Sequence, residues 1–214
     1  MVGRILVLAG VNGAGKSSLL GAMLQEDQAT WFNPDSFTRA LTEQGWPFEE
    51  ANAQAWHESK RRLECALAEG TDYAFETTLG ANTIPALIRQ ACARHEVTIW
   101  FCGLASVELH LQRVAARVAR GGHDIAEAKI RQRYDASRAN LIALIPHLST
   151  LHVYDNSSPA DADGQVAPLL VLEMDKSGIH CPLTAEEFEQ VPEWAKPIVM
   201  AALDARAPSM PQPP

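Results

Sequence analysis

The sequence predicts an α/β fold in which a mostly parallel central sheet lies between two layers of helices. Short apolar runs of strand character alternate along the chain with longer stretches of helical spacing, and such alternation is typical of consecutive strand–helix–strand units. A glycine-rich segment at residues 10–17 joins the first apolar run to the first helical stretch. With 214 residues, the chain is long enough for one such domain and too short for two of ordinary size.

The glycine-rich segment fits the pattern G-x-x-x-x-G-K-[ST] of a phosphate-binding loop. Its glycines let backbone N–H groups approach a phosphate, and the helix that follows directs its positive end at the same point. Lys16 would add a cation for the β- and γ-phosphates, and the Ser17 hydroxyl could ligate Mg²⁺. The segment therefore predicts bound ATP or GTP in a fold of the P-loop NTPase type. The residues expected to contact the nucleotide are Gly10, Asn12, Gly13, Ala14, Gly15, Lys16, Ser17 and Ser18.

Five strands and six helices are predicted in the first three quarters of the chain. The strands are short apolar runs, as strands buried in a parallel sheet are, at residues 4–9, 30–32, 73–75, 97–102 and 151–154. The helices have apolar residues at helical spacing, at residues 17–25, 36–43, 49–69, 83–94, 107–120 and 126–144. Two of these helix ends are marked by specific residues. Gly70 is placed as the C-cap of the helix at 49–69, and Pro85 lies in the first turn of the helix at 83–94.

The last quarter departs from this alternation. Apolar residues 169–172, the turn-like residues 175–178 and Ile179 predict a β-hairpin. Residues 186–205 are predicted to be helical, with interruptions at Pro192 and Pro197. We therefore expect one domain over residues 1–206, with the hairpin and the last helix at about 167–206, and a disordered proline-rich tail over 207–214.

Composition limits the classes of partner. The net charge of −8 and the isoelectric point near 5.3 disfavour general binding to nucleic acid or to an anionic membrane. The four cysteines are widely spaced and form no C-x-x-C pair, so free thiols are expected and zinc is not. The first strand leaves no room for a signal peptide, and no apolar stretch approaches the about 20 residues that a membrane helix needs. These features predict a cytoplasmic protein.

Two carboxylates follow predicted strands. Asp35 and Glu76 are expected at the edge of the sheet where ligands gather, outside the carboxyl ends of parallel strands. Asp35 is placed as the base that would take the proton of an acceptor hydroxyl in line with the γ-phosphate, although Asp is also a favoured N-cap for a helix from Ser36. Glu76 could bind the acceptor, hold Mg²⁺ through water or be an ordinary loop carboxylate. Thr77 and Thr78 could bind the acceptor or continue the strand.

Residues 113–140, here called the lid, are predicted to form a helical hairpin that covers the site. Two helices that are rich in arginine flank a break at Gly121 and Gly122. Lid arginines can close over a triphosphate and neutralise charge in the transition state, although the same composition is typical of a solvated, salt-bridged hairpin. Arg120, beside the break, is the first candidate for a phosphate contact, and Arg133 and Arg138 are the next.

The order of these motifs resembles that of the zeta toxin family of P-loop kinases. The resemblance covers about residues 4–157, and the late segment Trp194-Ala195-Lys196-Pro197 is similar to the C-terminal regions of stand-alone members. The motifs that carry it, after the phosphate loop, are Asn33-Pro34-Asp35, Phe75-Glu76-Thr77-Thr78, Arg120-Gly121-Gly122-His123-Asp124-Ile125, Arg131-Gln132-Arg133-Tyr134, Ser137-Arg138-Ala139-Asn140-Leu141 and Tyr154-Asp155-Asn156-Ser157.

The resemblance implies transfer of the γ-phosphate of ATP, with Mg²⁺, to a hydroxyl of a UDP-N-acetyl amino sugar or a similar metabolite. It implies phosphate and Mg²⁺ contacts for Lys16 and Ser17, the base for Asp35, acceptor binding for Glu76, and lid arginines at Arg120 and at Arg133 or Arg138. An antitoxin, if one acts on this protein, is expected to be a separate chain, since no such segment precedes the first strand.

Other functions are compatible with a phosphate-binding loop. A nucleotide-gated protein that binds a partner is disfavoured by the carboxylates expected to face Lys16. A kinase of polynucleotide 5′-hydroxyls is disfavoured by the acidic charge, whereas kinases of other small acceptors stay open. The sequence lacks a guanine-specific Asn-Lys-x-Asp segment and the switch of a motor ATPase.

Overall fold

The computed structural model describes residues 2–17, 31–159 and 167–206, in which six strands form one sheet. The strand order is β2-β1-β3-β4-β5-β6. Strands β1 to β4 are parallel, and β5 and β6 add an antiparallel edge. This confirms the predicted α/β class. The strands are β1 (Gly3–Ala9), β2 (Tyr73–Thr77), β3 (His95–Gly103), β4 (Thr150–Asp155), β5 (Leu169–Asp175) and β6 (Ile179–Cys181).

Helices connect the strands in the predicted order. The helix Phe48–Glu69 is followed by Gly70, whose left-handed conformation, with φ of 70°, terminates the helix as expected. A short 3₁₀-helix, Ile145–His147, leads into β4. The α-helices that lie wholly within the described residues are α1 (Pro34–Glu43), α2 (Phe48–Glu69), α3 (Thr83–Ala91), α4 (Val107–Val118), α5 (Glu127–Leu144), α6 (Ala185–Gln190) and α7 (Lys196–Arg206).

The prediction of a strand at residues 30–32 is wrong within the described residues. Phe32 makes a single parallel bridge with Phe75 beside the β2 edge, and helix α1 begins two residues later. Pro34 has no N–H to extend a ladder and is well suited to a first helical turn. The chain therefore leaves the sheet after one bridge.

Two other predicted segments differ or lie outside the described residues. The helix predicted at residues 186–205 is divided into α6 and α7, with Pro192 between them, whereas Pro197 is the second residue of α7. The first turn of a helix tolerates proline because its N–H groups have no partner within the helix. In the helix predicted at residues 17–25, Ser17 is helical and residues 18–25 lie outside the described residues. The tail predicted at 207–214 also lies outside them.

The core lies on both faces of β1 and β3. Val7 is opposite Phe75 on one side and Ile99 on the other, and all three side chains are fully buried. In the same register Ala9 pairs with Thr77. The segments that follow β1 and β2 therefore leave the sheet at the same edge, which is the edge predicted to bind ligands.

The C-terminal segment is attached near this edge by Trp194. Its indole lies so close to Gly103 that a Cβ there would be 2.2 Å from the ring, and its Nε1 donates a hydrogen bond of 3.1 Å to Asp155 Oδ1. The residue after Asp155 contacts the phosphate loop, as described below. The segment between α6 and α7 therefore packs against the ends of β3 and β4, next to the phosphate loop.

Two predictions from composition can be compared with the structure. All four cysteines lie in described segments, and all are free thiols. In the described segments, each helix falls short of the length or the apolar character required to cross a bilayer.

Replacement of Leu151 by alanine tests the core assignment. Leu151 on β4 is fully buried, so Leu151→Ala should lower the free energy of unfolding in urea by about 2–5 kcal/mol. The matched control is Leu169→Ala on β5, where the side chain is 52% exposed and the expected loss is within about 0.5 kcal/mol. Equal losses in the two variants would contradict the position of β4 in the core.

Candidate active site

The phosphate loop packs tightly against the ends of β3 and β4. Gly10, Gly13 and Gly15 have φ values of 137°, 83° and 91°, in the region that favours glycine. A Cβ on Gly10 would lie 2.1 Å from the carbonyl oxygen of Cys102, and one on Gly15 would lie 2.4 Å from Asn156 Nδ2. The loop therefore requires glycine at these positions for packing as well as for its turn. Ser18 lies outside the described residues.

Glu76 joins the phosphate loop to β2. Its Oε1 is 3.4 Å from Lys16 Nζ, and the two side chains are only 10% and 7% exposed. Its Oε2 accepts hydrogen bonds from Ser17 Oγ at 2.8 Å and from Asn33 Nδ2 at 2.9 Å. Glu76 lies within β2 and is buried, so the interpretation as an ordinary loop carboxylate is wrong.

Asp35 is not the N-cap of α1. Asn33 caps this helix, because its Oδ1 accepts a hydrogen bond of 3.0 Å from the N–H of Ser36. Asp35 lies in the first turn instead, where its carboxylate is half-exposed and 4.0 Å from Arg117 Nη1. A carboxylate that caps no helix is available for a ligand in the pocket beside it.

One pocket of about 310 Å³ brings the predicted groups together. One side, formed by the phosphate loop, β2 and the start of α1, carries Asn12, Lys16, Asp35, Glu76, Thr77 and Thr78. Helix α2 forms a second wall with Phe48, Glu49, Asn52, Trp56 and Ser59. The lid forms a third with His123, Asp124, Ile125, Ala126, Lys129 and Arg133. The wall from α2 carries no motif that the sequence analysis recognised, because aromatic and amide side chains on a helix are equally typical of a surface.

The three predicted lid arginines have different surroundings. Arg133 lines the pocket, passes over Gly80, and donates a hydrogen bond of 2.7 Å to Asn12 Oδ1. Burial lowers the pKa of Arg133, and the charge of Asp35 opposes that shift. Arg120 is exposed and does not line this pocket. Arg138 also lies outside it, with its guanidinium over the Tyr134 ring and hydrogen-bonded to Asp135. Arg133 is thus the predicted arginine that the fold brings to Lys16.

Two buried side chains that hold the phosphate loop were not predicted as site residues. His110 Nδ1 is 2.9 Å from the carbonyl oxygen of Asn12, and burial lowers the pKa of this histidine to about 4. The ring is therefore neutral at pH 7, with its proton on Nδ1 because a carbonyl can only accept. Asn156 Nδ2 donates a hydrogen bond of 2.8 Å to the carbonyl oxygen of Ala14. The motif after β4 drew attention to Asn156 but gave no role, and no sequence signal distinguishes His110 from other helical residues.

The donor set beside the loop fits Mg²⁺. Magnesium prefers hard oxygen ligands and is usually held by one or two protein groups together with phosphates and water. The Ser17 hydroxyl and the Glu76 carboxylate supply such oxygens side by side, and Lys16 lies next to them for the phosphates.

Comparison with protein families and with catalogued proteins gives two matches. Residues 5–141 match a family model described as "AAA domain". An uncharacterized protein of Haemophilus influenzae is 28% identical over 137 residues, which are 63% of this chain and 94% of that protein.

Solved structures are similar in fold at low identity. A crystal structure of AvrRxo1-ORF1:-ORF2 with ATP aligns with a TM-score of 0.63 at 18% identity over 90% of this chain, which spans 64% of the length of that one. A structure from the PezAT chromosomal toxin-antitoxin system of Streptococcus pneumoniae aligns with a TM-score of 0.52 at 15% identity, covering 78% of this chain and 70% of that one.

The region that matches the family model runs from β1 into α5 and includes the phosphate loop, Asp35, Glu76 and the lid. The α/β fold with a six-stranded, mostly parallel sheet is similar to the fold of these structures. Because the family model covers well over half of the sequence, this chain belongs to the AAA domain family.

Proposed function

We propose that this protein is an ATP-dependent kinase that transfers the γ-phosphate to a hydroxyl of a small metabolite. One observation supports this most directly: Lys16, Asp35, Glu76 and Arg133 line the same pocket. Phosphoryl transfer needs cations around the phosphates, a carboxylate for the attacking hydroxyl and a space for the acceptor. These groups provide each of those elements within one cavity.

In this proposal the phosphate loop and two cations bind the triphosphate. The backbone N–H groups of the loop and the Lys16 ammonium hold the β- and γ-phosphates. Arg133 gives up its contact with Asn12 and neutralises charge on the phosphoryl group during transfer. Mg²⁺, when bound through Ser17 and Glu76, supplies further charge neutralisation on the phosphate oxygens.

Asp35 acts on the acceptor side. Its carboxylate lines the pocket that also contains Lys16, so a hydroxyl bound between them can donate its proton to Asp35 while it faces the γ-phosphate. Thr77 at the end of β2 and Thr78 after it line the same space and can hydrogen-bond to the acceptor.

The acceptor is proposed to be a UDP-N-acetyl amino sugar or a similar metabolite, as the resemblance to zeta toxins implies. A pocket of about 310 Å³ lies at the small end of the range of ligand sites, which starts at about 300 Å³. Phe48 and Trp56 offer apolar ring faces beside the amide of Asn52 and the hydroxyl of Ser59. Such a wall suits a ligand that has both hydroxyl groups and flat, less polar faces.

A separate protein partner is part of the proposal. The PezAT structure comes from a toxin-antitoxin system, and AvrRxo1-ORF1 was solved together with AvrRxo1-ORF2. An antitoxin for this chain would act by covering the pocket. Inhibition by such a partner would agree with the kinase, whereas nucleotide hydrolysis that requires a protein partner would favour a gated ATPase instead.

Incubation with γ-labelled ATP and Mg²⁺ tests the function directly. A panel of UDP-N-acetyl amino sugars, free sugars, nucleosides and 5′-hydroxyl oligonucleotides is supplied, and the products are identified by mass spectrometry. We expect one phosphate to be added to a hydroxyl of a nucleotide sugar or a similar small molecule. Transfer to the oligonucleotides alone would contradict the proposed acceptor class, and hydrolysis without any transfer would contradict the kinase.

The Asp35→Asn variant tests the proposed base. Loss of the proton acceptor should lower kcat by about 10²–10⁴-fold, while the affinity for ATP, measured by calorimetry, stays close to that of the wild type. The matched control is Glu43→Gln, an exposed carboxylate in the last turn of the same helix, which should leave kcat unchanged. Normal turnover by Asp35→Asn would remove Asp35 from the mechanism.

The Lys16→Met variant tests the buried ion pair. It leaves the Glu76 carboxylate buried without its cation, although Ser17 and Asn33 still donate to it. The free energy of unfolding in urea should therefore fall by about 3 kcal/mol, near the low end for a broken buried pair. The double variant Lys16→Met/Glu76→Gln should recover much of that loss without recovering ATP binding.

Lys60→Met is the control for the loss of a lysine, because Lys60 pairs with Glu64 on the surface of α2 and such pairs contribute little. If the double variant were no more stable than Lys16→Met, the assigned coupling between Lys16 and Glu76 would be wrong.

A further inference from the structure

Arg117 is a lid residue in the last turn of α4, and its guanidinium lies beside Asp35. Its Nη1 is 4.0 Å from Asp35 Oδ2. Its Nη2 donates a hydrogen bond of 3.1 Å to the carbonyl oxygen of His123. One guanidinium therefore contacts both the proposed base and the turn at residues 119–126, here called the lid turn.

The surroundings of Arg117 restrict its position. The lid turn wraps around its side chain, since a Cβ on Gly122 would lie 2.7 Å from Arg117 Cγ. Its Nε is buried and has no hydrogen-bond partner among the described residues. The lid turn also reaches α2, where the His123 ring lies 5.5 Å from the Phe48 ring. One side of the guanidinium is thus held by the backbone of the lid turn, and the Asp35 carboxylate lies at the other.

We infer that Arg117 is a positioning residue for Asp35. It orients the carboxylate towards the acceptor only while the lid turn is docked, because the same guanidinium holds both. The inference depends on the proposed function, in which Asp35 is the base. An ion pair this exposed and this long contributes little to stability, so its effect lies in the orientation of a half-exposed carboxylate that otherwise has several rotamers.

Steady-state kinetics of Arg117→Gln and Arg117→Lys test this role. Arg117→Gln should lower kcat by about 10-fold, because a misplaced catalytic group loses its alignment, with little change in the KM for ATP. Arg117→Lys keeps the cation and should recover part of the loss. The matched control is Arg131→Gln, a lid arginine that pairs with Glu108 and Glu127 outside the pocket and should not change kcat.

A double variant separates positioning from general damage to the fold. If Arg117 acts through Asp35, Arg117→Gln should cause no further loss in an Asp35→Asn protein, measured by single turnover at high enzyme concentration. Additive losses would overturn the inference, as would an unchanged kcat in Arg117→Gln. A normal kcat in Asp35→Asn would instead contradict the proposed mechanism itself.

Hydrogen exchange of the ligand-free protein gives a readout that needs no acceptor. Arg117→Gln removes the hydrogen bond to the carbonyl oxygen of His123 and should release the lid turn, so the amides of residues 119–126 should exchange faster in this variant than in the wild type or in Arg131→Gln. Asp35→Asn loses only the long ion pair to Arg117, which contributes little to stability, so exchange in that variant should stay close to that of the wild type. Unchanged exchange in Arg117→Gln would show that the guanidinium does not hold the lid turn and would overturn the inference, whatever the acceptor proves to be.

Discussion

The buried ion pair between Lys16 and Glu76 is the interaction on which the arrangement of the site depends. Two charges that leave water need close pairing and additional hydrogen bonds to offset their desolvation, and Ser17 and Asn33 supply those bonds to Glu76. This requirement fixes the phosphate loop relative to β2 and fixes Asn33 at the start of α1. Asp35 follows two residues later, so its position on the pocket wall is a consequence of the same pair.

The pair also means that the lysine is already neutralised before a ligand binds. An incoming phosphate must compete with Glu76 for the ammonium, and the carboxylate that it displaces becomes free to accept another ligand. In the proposed kinase, binding of the phosphates would therefore be linked to the use of Glu76 by a metal ion or an acceptor hydroxyl. Linkage of this kind is reciprocal, so either ligand should ease the binding of the other.

Local patterns were sufficient to predict the framework of the site but not its internal contacts. The spacing of residues 10–17 identified the loop, and the parallel topology placed Asp35 and Glu76 at one edge. Asn33 and Asp35 are both favoured caps two residues apart, so only the observed hydrogen bond from Ser36 decides between them. The contacts of His110 and Arg117, and the exposure of Arg120, depend on how the lid packs against the phosphate loop. Contacts between residues distant in sequence determine that packing, so local patterns could not predict it.

Trp194 links the C-terminal segment to the phosphate loop, although the two are far apart in sequence. Trp194 bonds to Asp155, and the next residue, Asn156, holds the backbone of Ala14 in the phosphate loop. A ligand that stabilises this loop will therefore also favour the docked form of the segment between α6 and α7. Local opening of that segment, and its cleavage by a protease, should become rarer when the loop is occupied.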